Sequence, residues 1–473
     1  MKKKMIEIKN LSFSHEDQIR FAEFSGDKNP IHTNQKIAKK TIAGECVVHG
    51  VHLILISLEY YLNISKQLPT TCNVEFKNPV PVGTSIRIVI DEDKHELKLL
   101  SDISTVCCII EIENKVKNYN TIKDTPLPKM KVLTEPKKID MSNLKIGAIF
   151  PSTYGGAAEM GCLLFPSLCK VIGAAAVYEV AILSNFVGMQ VPGLHSLFSK
   201  CSVKIREKNI SVKPHFKLST YDNRFKIAKF KYTGTHIDAE ITAFERPFYA
   251  PKSFSDLKKV IPEKLKLNSL RMLIIGGSSG IGESVARVAA LLGSDVSFTY
   301  NSSKEDALLI TKDIKKNSSC RINTFKLDVT SQESIEALSL DYDILCYFPS
   351  GKIFEKIGNS FDIKKFDKFY QIYCVAFNRI ARKFLKSGGK KIYYPSSEAV
   401  ISTIRGLEEY KLAKQLGEKI CKGLMAEFDA EIICERLGRI KTGQTLTIMP
   451  ISSRDSVEVA IDICKKLTFI NKR

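Results

Sequence analysis

The stretch "FAEFSGDKNPIHTN" contains an acid and a base five residues apart, Asp27 and His32, around the turn-forming pair Asn29-Pro30. Taken singly, an Asp and a His in such a loop are more often structural. Shortly afterwards, "VVHG" opens a long apolar helix, whose first N–H groups have no intrahelical acceptor. An acid/base pair beside a helix N-terminus can add or remove water across an activated double bond, because the pair holds the water and moves protons. A helix N–H would stabilise the enolate oxygen of a thioester.

A second candidate site begins at "RMLIIGGSSGIGESVARVAALLG", which predicts a strand, a glycine loop and a helix. Glycines allow the backbone to turn tightly and to approach a pyrophosphate, which the helix N-terminus then binds. A glycine loop alone is weak evidence, but the strand–loop–helix context strengthens it. The predicted dinucleotide-binding loop consists of Gly276, Ser278, Ser279, Gly280, Ile281 and Gly282.

Further along, "YKLAK" places Tyr410 and Lys414 one helical turn apart, on one face of a helix. A phenol is a poor acid at neutral pH, since its reference pKa is about 10, and a nearby ammonium lowers that pKa. The Y-x-x-x-K pattern is common on helices and means little alone. Here it follows "IYYPSSEAV", a predicted strand that ends near Ser397, thirteen residues before Tyr410.

The elements that must hold these groups fall into three parts. The first part has one apolar helix, 47–62, and then strand-like runs such as "TCNVEFKNPV" and "STVCCIIEIE". The second part repeats the order, with a helical "FPSLCKVIGAAAVYEVAILSNFV" before four strand-like runs, which suggests a diverged internal duplication. The third part, from Met272, alternates β and α patterns, which implies a parallel sheet.

Two polar, proline-containing stretches, 114–138 and 245–271, separate these parts. We therefore predict a multidomain chain with an α+β domain over 1–250, in halves 1–120 and 135–250. A linker over 251–270 and an α/β domain over 271–473 follow. A length prior of roughly 150 residues per domain agrees with about three folded units in 473 residues.

Composition limits the function classes. The chain is 44% hydrophobic with a formal net charge of +20, spread along its length, which favours anionic partners. No basic run is interleaved with aromatic residues, so we expect no nucleic-acid binding. Thirteen cysteines without a C-x-x-C pair indicate buried free thiols in a reducing compartment. No apolar run approaches the ~20 residues of a membrane span, so we expect a soluble, cytoplasmic protein without membrane insertion.

The motif "FAEFSGDKNPIHTNQKIAKKT…VVHG" resembles the MaoC-like hydratase/dehydratase family of (R)-specific enoyl-thioester hydratases. The resemblance implies a hot-dog fold, a curved antiparallel sheet around one long helix, with Asp27 and His32 as the catalytic pair and Gly50 as the oxyanion N–H. The second part resembles the remainder of a double hot dog but shows no second G-D-x-N-P-x-H. We therefore expect one active site, with the second repeat as a wall and acyl pocket. No metal is expected, because His49, His52 and His195 lack the spacing of a zinc site.

The spacing G-x-x-x-G-x-G, with Ser397, Tyr410 and Lys414, resembles the short-chain dehydrogenase/reductase family, in particular its 3-oxoacyl reductases. The resemblance implies that Ser397 polarises a carbonyl, that Tyr410 donates the proton, and that Lys414 binds the ribose and tunes Tyr410. It also assigns cofactor contacts outside this core, made by Asp328 and Val329 in "LDVT" and by Thr442 in "RLGRIKTGQT".

The second strand of this domain ends without the acidic residue that would bind the 2′-hydroxyl of NAD. Lys304 and the neighbouring hydroxyls suit a 2′-phosphate, so we predict NADP(H) over NAD(H), although Glu305 and Asp306 follow closely. The residues assigned to this contact are Tyr300, Asn301, Ser302, Ser303 and Lys304.

Two departures from the family pattern concern the reductase. The chain has "YFPSG", 347–351, where the family has N-N-A-G, and Tyr373 where the family's tetrad has Asn. These changes affect the proton relay and the local helix, whereas the Ser/Tyr/Lys core is intact.

The two resemblances together predict a bifunctional enzyme, because ketoreduction of a 3-oxoacyl thioester makes the substrate of the dehydratase. The carrier would be coenzyme A or acyl carrier protein, both anionic. Two alternatives remain open: the same parts run in the degradative direction, or a hydratase fused to a non-catalytic reductase-like binding domain. Since short-chain reductases usually self-associate, a homo-oligomer is expected.

Overall fold

The computed structural model describes residues 5–39, 41, 43–67, 69–101, 104–113, 133–152, 156–206, 210–249, 251–267, 270–353, 361–447 and 451–468. The chain divides into two compact units. The first is Met1–Phe248, and the second comprises Tyr249–Leu446 and Pro450–Arg473.

The first unit is an α+β structure with one large sheet. A π-helical turn, Phe186–Gln190, continues its last helix, and a short 3₁₀ turn covers Met141–Asn143. Its helices and strands are β1 Met5–Ser12, α1 His15–Ser25, α2 Pro30–Thr33, α3 Gln35–Ala38, α4 Gly50–Ser65, β2 Thr71–Phe76, β3 Ser85–Asp91, β4 Glu96–Ser101, β5 Val106–Glu113, β6 Ile149–Pro151, α5 Met160–Leu164, α6 Pro166–Ile172, α7 Ala174–Asn185, β7 Ser196–Ile205, β8 His215–Asp222, β9 Ile227–Thr233 and β10 Ile237–Glu245.

The ten strands form one antiparallel sheet in the order β1-β3-β4-β5-β2-β7-β10-β9-β8-β6. Read from each edge to the centre, the two halves have the same order, because β6 to β10 take the places of β1 to β5. The halves meet where β2 pairs with β7, with Val74 opposite Cys201. The structure therefore contains the internal repeat that the sequence suggested, and each repeat has one long helix against its part of the sheet.

The two long helices, α4 and α7, form the centre of the core. In α7 every residue after the first is buried, as a helix that is apolar all round requires. In α4 the buried residues include Val51, Leu55 and Leu58. On the sheet, side chains alternate between faces, so that Ile110 and Ile112 of β5 are buried whereas Glu111 and Glu113 are exposed. One continuous apolar cluster joins both repeats.

The second unit is a parallel α/β fold. A 3₁₀ turn over Glu398–Ile401 follows its fifth main strand, and a π-helical turn over Gln371–Ala376 links two of its helices. Its helices and strands are α8 Phe254–Val260, β11 Arg271–Ile275, α9 Gly280–Leu291, β12 Asp295–Tyr300, α10 Lys304–Asn317, β13 Ile322–Lys326, α11 Gln332–Glu336, β14 Ile344–Tyr347, α12 Ile363–Tyr370, α13 Phe377–Lys386, β15 Lys391–Ser397, α14 Glu408–Phe428, β16 Glu431–Leu437, β17 Ile440–Lys441, β18 Arg454–Asp455 and α15 Ser456–Thr468.

The main sheet of this unit has six parallel strands in the order β13-β12-β11-β14-β15-β16. This is the strand order of the doubly wound dinucleotide-binding fold. The order reverses between β11 and β14, and ligands of such sheets bind in the crevice at that point, beyond the carboxyl ends of the strands. The predicted fold class, an α+β hot-dog domain followed by a parallel α/β domain, is confirmed.

Some local expectations change. The predicted linker 251–270 contains α8, which Ser253 caps and whose Phe254 and Leu257 are buried in the core of the second unit. Apolar residues three apart lie on one helix face, which explains why this stretch packs against the core. The apolar helix predicted to start at Val47 begins at Gly50. Of the other predicted break, 114–138, residues 114–132 lie outside the described part.

All thirteen cysteines lie in the described part of the chain, where none forms a disulfide and nine are buried, in agreement with the expected thiols. Within the described residues, no single helix has the length and apolar character to cross a membrane. The bent pair Pro166–Ile172 and Ala174–Gln190 passes that test together by length and composition.

Candidate active sites

The turn that carries Asp27 is built by local signals. α1 ends at Gly26, which adopts the left-handed conformation at φ 74° that terminates a helix. Asn29 caps α2 by accepting a hydrogen bond from the Ile31 N–H, and Pro30 occupies the first helical position, where no N–H is needed. Asp27 is thus held between two helix ends.

The Asp27 carboxylate is buried, with 2% of the residue exposed. Its Oδ2 accepts a hydrogen bond from the Ser184 hydroxyl (2.7 Å), and its Oδ1 accepts one from the Asn29 N–H (3.1 Å). A Cβ placed on Gly188 would lie 2.2 Å from Oδ1, so only glycine fits there without movement. Burial raises the pKa of Asp27 above its ordinary value, while His32 and the two hydrogen bonds oppose that rise.

His32 faces this carboxylate with one ring nitrogen available. Its Nδ1 lies 2.7 Å from the carbonyl oxygen of Val47, which can only accept, so Nδ1 carries the proton. In the neutral ring Nε2 then bears the lone pair. Burial lowers the pKa of His32, and the Asp27 carboxylate opposes that change. Burial therefore favours the protonated carboxyl of Asp27 and the neutral imidazole of His32. Uncharged starting forms suit an acid and a base that exchange protons with a substrate.

His49 is a third member of this cluster. Its ring stacks on that of His32 with centroids 3.8 Å apart, and its Nε2 lies 3.1 Å from the Asp27 carbonyl oxygen. Asp27, His32 and His49 offer ligand atoms within 4.8 Å of one another, a spacing that a metal ion could also use. However, both Asp27 oxygens already accept hydrogen bonds, and the His49 nitrogens lie 2.9 Å from Gln18 Oε1 and 3.1 Å from the Asp27 carbonyl oxygen. The contacts therefore favour acid/base use of the cluster.

Gly50, predicted as the oxyanion N–H, is the first residue of α4. The first four N–H groups of a helix have no intrahelical acceptor. A Cβ on Gly50 would lie 2.9 Å from the Phe76 ring, so the ring closely covers this helix end. His49 precedes Gly50 directly, and the adjacency places the helix N-terminus beside the acid/base cluster.

The glycine loop of the second unit has the shape that a pyrophosphate needs. Gly276 and Gly280 have positive φ angles of 78° and 60°. A Cβ on Gly282 would meet the Gly276 carbonyl oxygen at 2.3 Å. Ser278, Ser279 and Ile281 lie between these glycines, and α9 begins at Gly280 without a side-chain cap. The residues present therefore fit a dinucleotide.

Two further sets of predicted cofactor contacts are Thr442 and the residues that follow β12. Thr442 Cγ2 would lie 3.8 Å from a Cβ on Gly280, so it lies beside the glycine loop. The residues predicted to select the cofactor run from Tyr300 at the end of β12, through the exposed Asn301 and Ser302 and then Ser303, to exposed Lys304 at the start of α10.

Asp328 and Val329 come shortly after β13, the strand that pairs with β12. The Asp328 carboxylate accepts hydrogen bonds from the N–H and the hydroxyl of Thr330, which forms a tight turn there. Val329 packs against the apolar cluster on one side of the sheet. Because β11, β12 and β13 are parallel, this pair and the glycine loop both follow the carboxyl ends of their strands and lie at the same end of the sheet.

Ser397, Tyr410 and Lys414 come together at the end of β15 and on α14. Burial raises the pKa of the Tyr410 phenol above its ordinary value, and the hydrogen bond between the Ser397 hydroxyl and Tyr410 opposes part of that rise. Lys414 is buried, which lowers its pKa to about 7, and its Nζ donates to the Pro395 carbonyl oxygen at 2.7 Å.

Tyr373, which replaces the family's Asn, lies directly on this group. The Lys414 Nζ is 4.0 Å from the centre of its ring, a cation–π contact. The Tyr373 hydroxyl forms a 2.9 Å hydrogen bond with Ser350 of the "YFPSG" stretch, so the two departures from the family pattern contact each other. The helix is also π-helical here.

Comparison with known proteins agrees with both halves of this description. Residues 1–101 match the model of the MaoC like domain, and residues 271–342 match that of short chain dehydrogenases. The chain joins a MaoC-like domain to a short-chain dehydrogenase domain. Both predicted family resemblances are confirmed.

The MaoC-like domain is 29% identical over 90 residues to 3-hydroxybutyryl-CoA dehydratase of Methylorubrum extorquens. The match covers 18% of this chain and 57% of that relative. For the dehydrogenase domain, one similar structure is an alcohol dehydrogenase from Thermococcus sibiricus complexed with 5-hydroxy-NADP. Its identity is 19% and its TM-score 0.39, over 43% of this chain and 92% of that one. Another is L-sorbose reductase from Gluconobacter frateurii complexed with NADPH and L-sorbose, with 19% identity and a TM-score of 0.37, over 42% and 90%.

Some residues of the MaoC-like site lay outside the sequence-based prediction. Ser184 and Gly188 contact Asp27 from the second repeat, and Asn29 donates from Nδ2 to the Gly188 and Gly193 carbonyl oxygens, at 2.9 and 3.1 Å. Asn29 was visible in the motif, but only as a turn former. The two residues beyond position 180 carried no local signal of their own.

Proposed function

We propose that the chain is a bifunctional acyl-thioester enzyme, an NADPH-dependent 3-oxoacyl reductase and a 3-hydroxyacyl-thioester dehydratase that also hydrates enoyl thioesters. The observation that carries the proposal is the presence of both proton-transfer groups in one chain: Asp27 with His32 in the MaoC-like domain, and Ser397 with Tyr410 in the dehydrogenase domain. The product of the reductase is the substrate of the dehydratase.

In the dehydratase, His32 Nε2 would remove the proton from C2 of the 3-hydroxyacyl thioester. Asp27 in its acid form would protonate the departing C3 hydroxyl, so that water leaves and a C2–C3 double bond forms. Burial favours neutral His32 and protonated Asp27, which are the starting forms that this elimination needs. The Gly50 N–H at the start of α4 would stabilise the enolate oxygen that develops on the thioester.

In the reductase, Ser397 would orient the 3-keto oxygen by a hydrogen bond, and Tyr410 would donate the proton to that oxygen. NADPH bound at the glycine loop would supply the hydride. Because burial keeps the Tyr410 phenol protonated at neutral pH, the resting site favours proton donation, which is reduction, over proton removal from an alcohol. The synthetic direction over the degradative one is supported by the predicted preference for NADPH.

The carrier would be acyl carrier protein or coenzyme A, both of which present phosphate. The formal net charge of +20 suits either. For the cofactor, Lys304 at the start of α10 and the absence of an acidic residue at the end of β12 support NADPH over NADH.

A second candidate function is a hydratase fused to a dehydrogenase-like domain that binds but does not reduce. The contact between Lys414 and Tyr373 favours it, because Lys414 already has a carbonyl and an aromatic ring as partners. Since these partners hold Lys414, it is less able to stabilise a Tyr410 phenolate, whereas the glycine loop that would bind the dinucleotide is unaffected.

The test uses purified protein, NADPH and acetoacetyl thioester, with absorbance followed at the nicotinamide band and products identified by mass. Consumption of NADPH together with crotonyl thioester formation is expected. If NADPH is not consumed but crotonyl thioester is still hydrated, the second candidate replaces the first. If neither reaction occurs with the C4 thioesters or with longer acyl chains, the proposal fails.

A further inference from the structure

Arg246, directly after β10, is a buried cation with few partners. It is 4% exposed, and its Nη2 donates to the Leu194 carbonyl oxygen at 2.8 Å. Its Nε has no acceptor among the described residues. Within the part of the chain that the structure describes, no carboxylate lies within 4.0 Å of this guanidinium. Burial lowers its pKa to about 10, so it remains a cation at neutral pH.

Buried charges in proteins are normally paired, because removing an ion from water is costly. Among the described residues, the other buried cations outside the reductase site follow that rule. Arg287 contacts Glu283 and Asp313, and Lys365 lies 3.3 Å from Glu409. Arg246 differs from them in having only a backbone carbonyl as partner.

The position of Arg246 connects it to the dehydratase turn. Leu194, whose carbonyl oxygen accepts from Arg246, also has that oxygen 3.5 Å from Asn29 Nδ2. Asn29 lies between Asp27 and His32 in sequence. The Leu194 carbonyl oxygen therefore links the Arg246 guanidinium to the turn that carries the catalytic pair. The positive charge of Arg246 also lowers the pKa of His32.

Two more basic residues belong to this region: His195 lies beside Arg246, and Lys138 lies near His195. The Arg246 N–H donates to the His195 carbonyl oxygen at 2.7 Å, and His195 Nδ1 is buried without a partner. Lys138 forms a backbone bridge with Gly193 and adds its charge near His195. The cluster therefore offers an unsatisfied guanidinium N–H, an unpartnered imidazole nitrogen and positive charge, and among the described residues no carboxylate pairs with the guanidinium.

We propose that Arg246, with His195 and Lys138, forms an anion subsite of the dehydratase that binds a carboxylate or phosphate group of the thioester substrate. This proposal rests on the proposed hydratase/dehydratase function of the Asp27/His32 site and specifies its substrate. A carboxylate or phosphate oxygen would accept a hydrogen bond from Arg246 Nε and would balance the positive charge of the guanidinium.

Two sources could supply that anion. A carrier phosphate lies at the far end of the pantetheine arm from the thioester, whereas a carboxylate on the acyl chain lies close to the reacting carbons. Because Arg246 shares a carbonyl with Asn29 of the catalytic turn, its location favours the acyl carboxylate. The substrate would then be the half-thioester of a dicarboxylic acid.

The experiment compares hydration of three thioesters by the full-length protein: crotonyl-CoA, the crotonyl thioester of N-acetylcysteamine, which has no phosphate, and the glutaconyl thioester of N-acetylcysteamine, which has an acyl carboxylate. The variants are Arg246→Met, Arg246→Lys and, as a charge-matched control on an exposed turn, Arg224→Met. Ratios of kcat/KM within one protein cancel any loss of folded enzyme.

If the anion is an acyl carboxylate, the wild type prefers glutaconyl over crotonyl N-acetylcysteamine by about tenfold or more. Arg246→Met removes this preference, Arg246→Lys retains part of it, and Arg224→Met leaves it intact. If the anion is a carrier phosphate, the ratio that collapses in Arg246→Met is crotonyl-CoA over crotonyl N-acetylcysteamine. Both ratios unchanged in Arg246→Met would overturn the subsite while the hydratase function stands.

Calorimetric binding of the saturated analogues, glutaryl and butyryl N-acetylcysteamine and butyryl-CoA, gives a readout without turnover. If the wild type hydrates no thioester, the proposed function fails. The subsite then stands if Arg246→Met selectively weakens an anionic analogue, and it fails if all three bind alike in both proteins.

Discussion

Ser184 donates its hydroxyl to the Asp27 carboxylate across 2.7 Å. The donor lies on α7 of the second repeat, and the acceptor lies in the turn after α1 of the first. The second repeat, which has no acid/base motif of its own, therefore contributes a hydrogen bond to the site. The contact also explains why one complete site can need both repeats.

Ser184→Ala should slow hydration of crotonyl thioester. A hydrogen bond to a charged group is worth about 1.5–3 kcal/mol, which corresponds to roughly ten- to hundredfold in kcat/KM. The Ser184 hydrogen bond lowers the pKa of Asp27, so its removal raises that pKa further. Hydration needs the carboxylate form, which is lost as pH falls through the pKa, so the acidic limb of the pH profile should move to higher pH.

Ser57→Ala is the matched control for this prediction. Ser57 is also a buried serine in a long helix, and its hydroxyl donates to the Leu53 carbonyl oxygen. Its replacement should leave the acidic limb where it is. An unchanged limb in Ser184→Ala would show that Ser184 does not act on the ionisation of Asp27.

Gly188→Ala should impair hydration more than it impairs folding. The new Cβ would lie 2.2 Å from Asp27 Oδ1, so the carboxylate must move away. Displacement of one member of a proton-transfer pair should lower the hydration rate by roughly 10²- to 10⁴-fold. Hydration rates and thermal unfolding curves of the same preparations test this.

Gly423→Ala provides the comparison, because no atom lies within 4 Å of a Cβ at that helical position. Alanine there should leave hydration unchanged and stabilise the second unit by up to about 1 kcal/mol. Full hydratase activity in Gly188→Ala would contradict the placement of the Asp27 carboxylate against the second repeat.

The residues of the Asp27 turn were predictable because their signals are local. Gly26, Asn29 and Pro30 are the types that end one helix, cap the next and start it. The hydrophobic periodicity also predicted that each of the two repeats has one helix followed by several strands. The glycine loop and the Tyr410/Lys414 pair have fixed short spacings for the same reason, namely that one loop or one helix turn determines them.

Contacts between the repeats were not predictable in this way. Ser184 is 157 positions from Asp27, and it reaches Asp27 because the pairing of β2 with β7 joins the two halves. No pattern near Ser184 marks it, since α7 is buried on all sides and gives no polar face. Arg246 similarly resembled an ordinary charged residue at a strand end, until its burial and lack of a carboxylate partner were visible.

The reductase should show a marked difference between its two directions with pH. Burial raises the pKa of Tyr410 above its ordinary value, so the phenol stays protonated and can donate across the neutral range. Lys414 has a pKa of about 7 and loses the charge that stabilises the forming phenolate as pH rises through that value. Reduction of acetoacetyl thioester should therefore decline above about pH 7, whereas oxidation of 3-hydroxybutyryl thioester, which needs the phenolate, should remain slow at neutral pH.

Tyr410→Phe should abolish both directions, by roughly 10²- to 10⁴-fold, because no proton donor or acceptor replaces the phenol. Tyr370→Phe, at an exposed tyrosine of α12, is the matched control and should keep full activity. Equal activity in Tyr410→Phe and wild type would exclude Tyr410 as the proton donor.

Lys304→Met should weaken NADPH specifically. Lys304 is exposed at the start of α10, shortly after the end of β12, where the adenine ribose binds in this fold. A lost charge-assisted hydrogen bond to a 2′-phosphate should raise the KM for NADPH about tenfold or more and leave that for NADH unchanged.

Lys316→Met changes the same charge near the opposite end of α10 and should alter neither KM. The comparison therefore separates a specific phosphate contact from the general positive field of the domain, which would act on both nucleotides. If Lys304→Met raises the KM of NADPH and NADH equally, the charge acts only through that field. The preference for NADPH would then have to arise from the polar groups of Tyr300, Asn301, Ser302 or Ser303, which are the other predicted contacts at the end of β12.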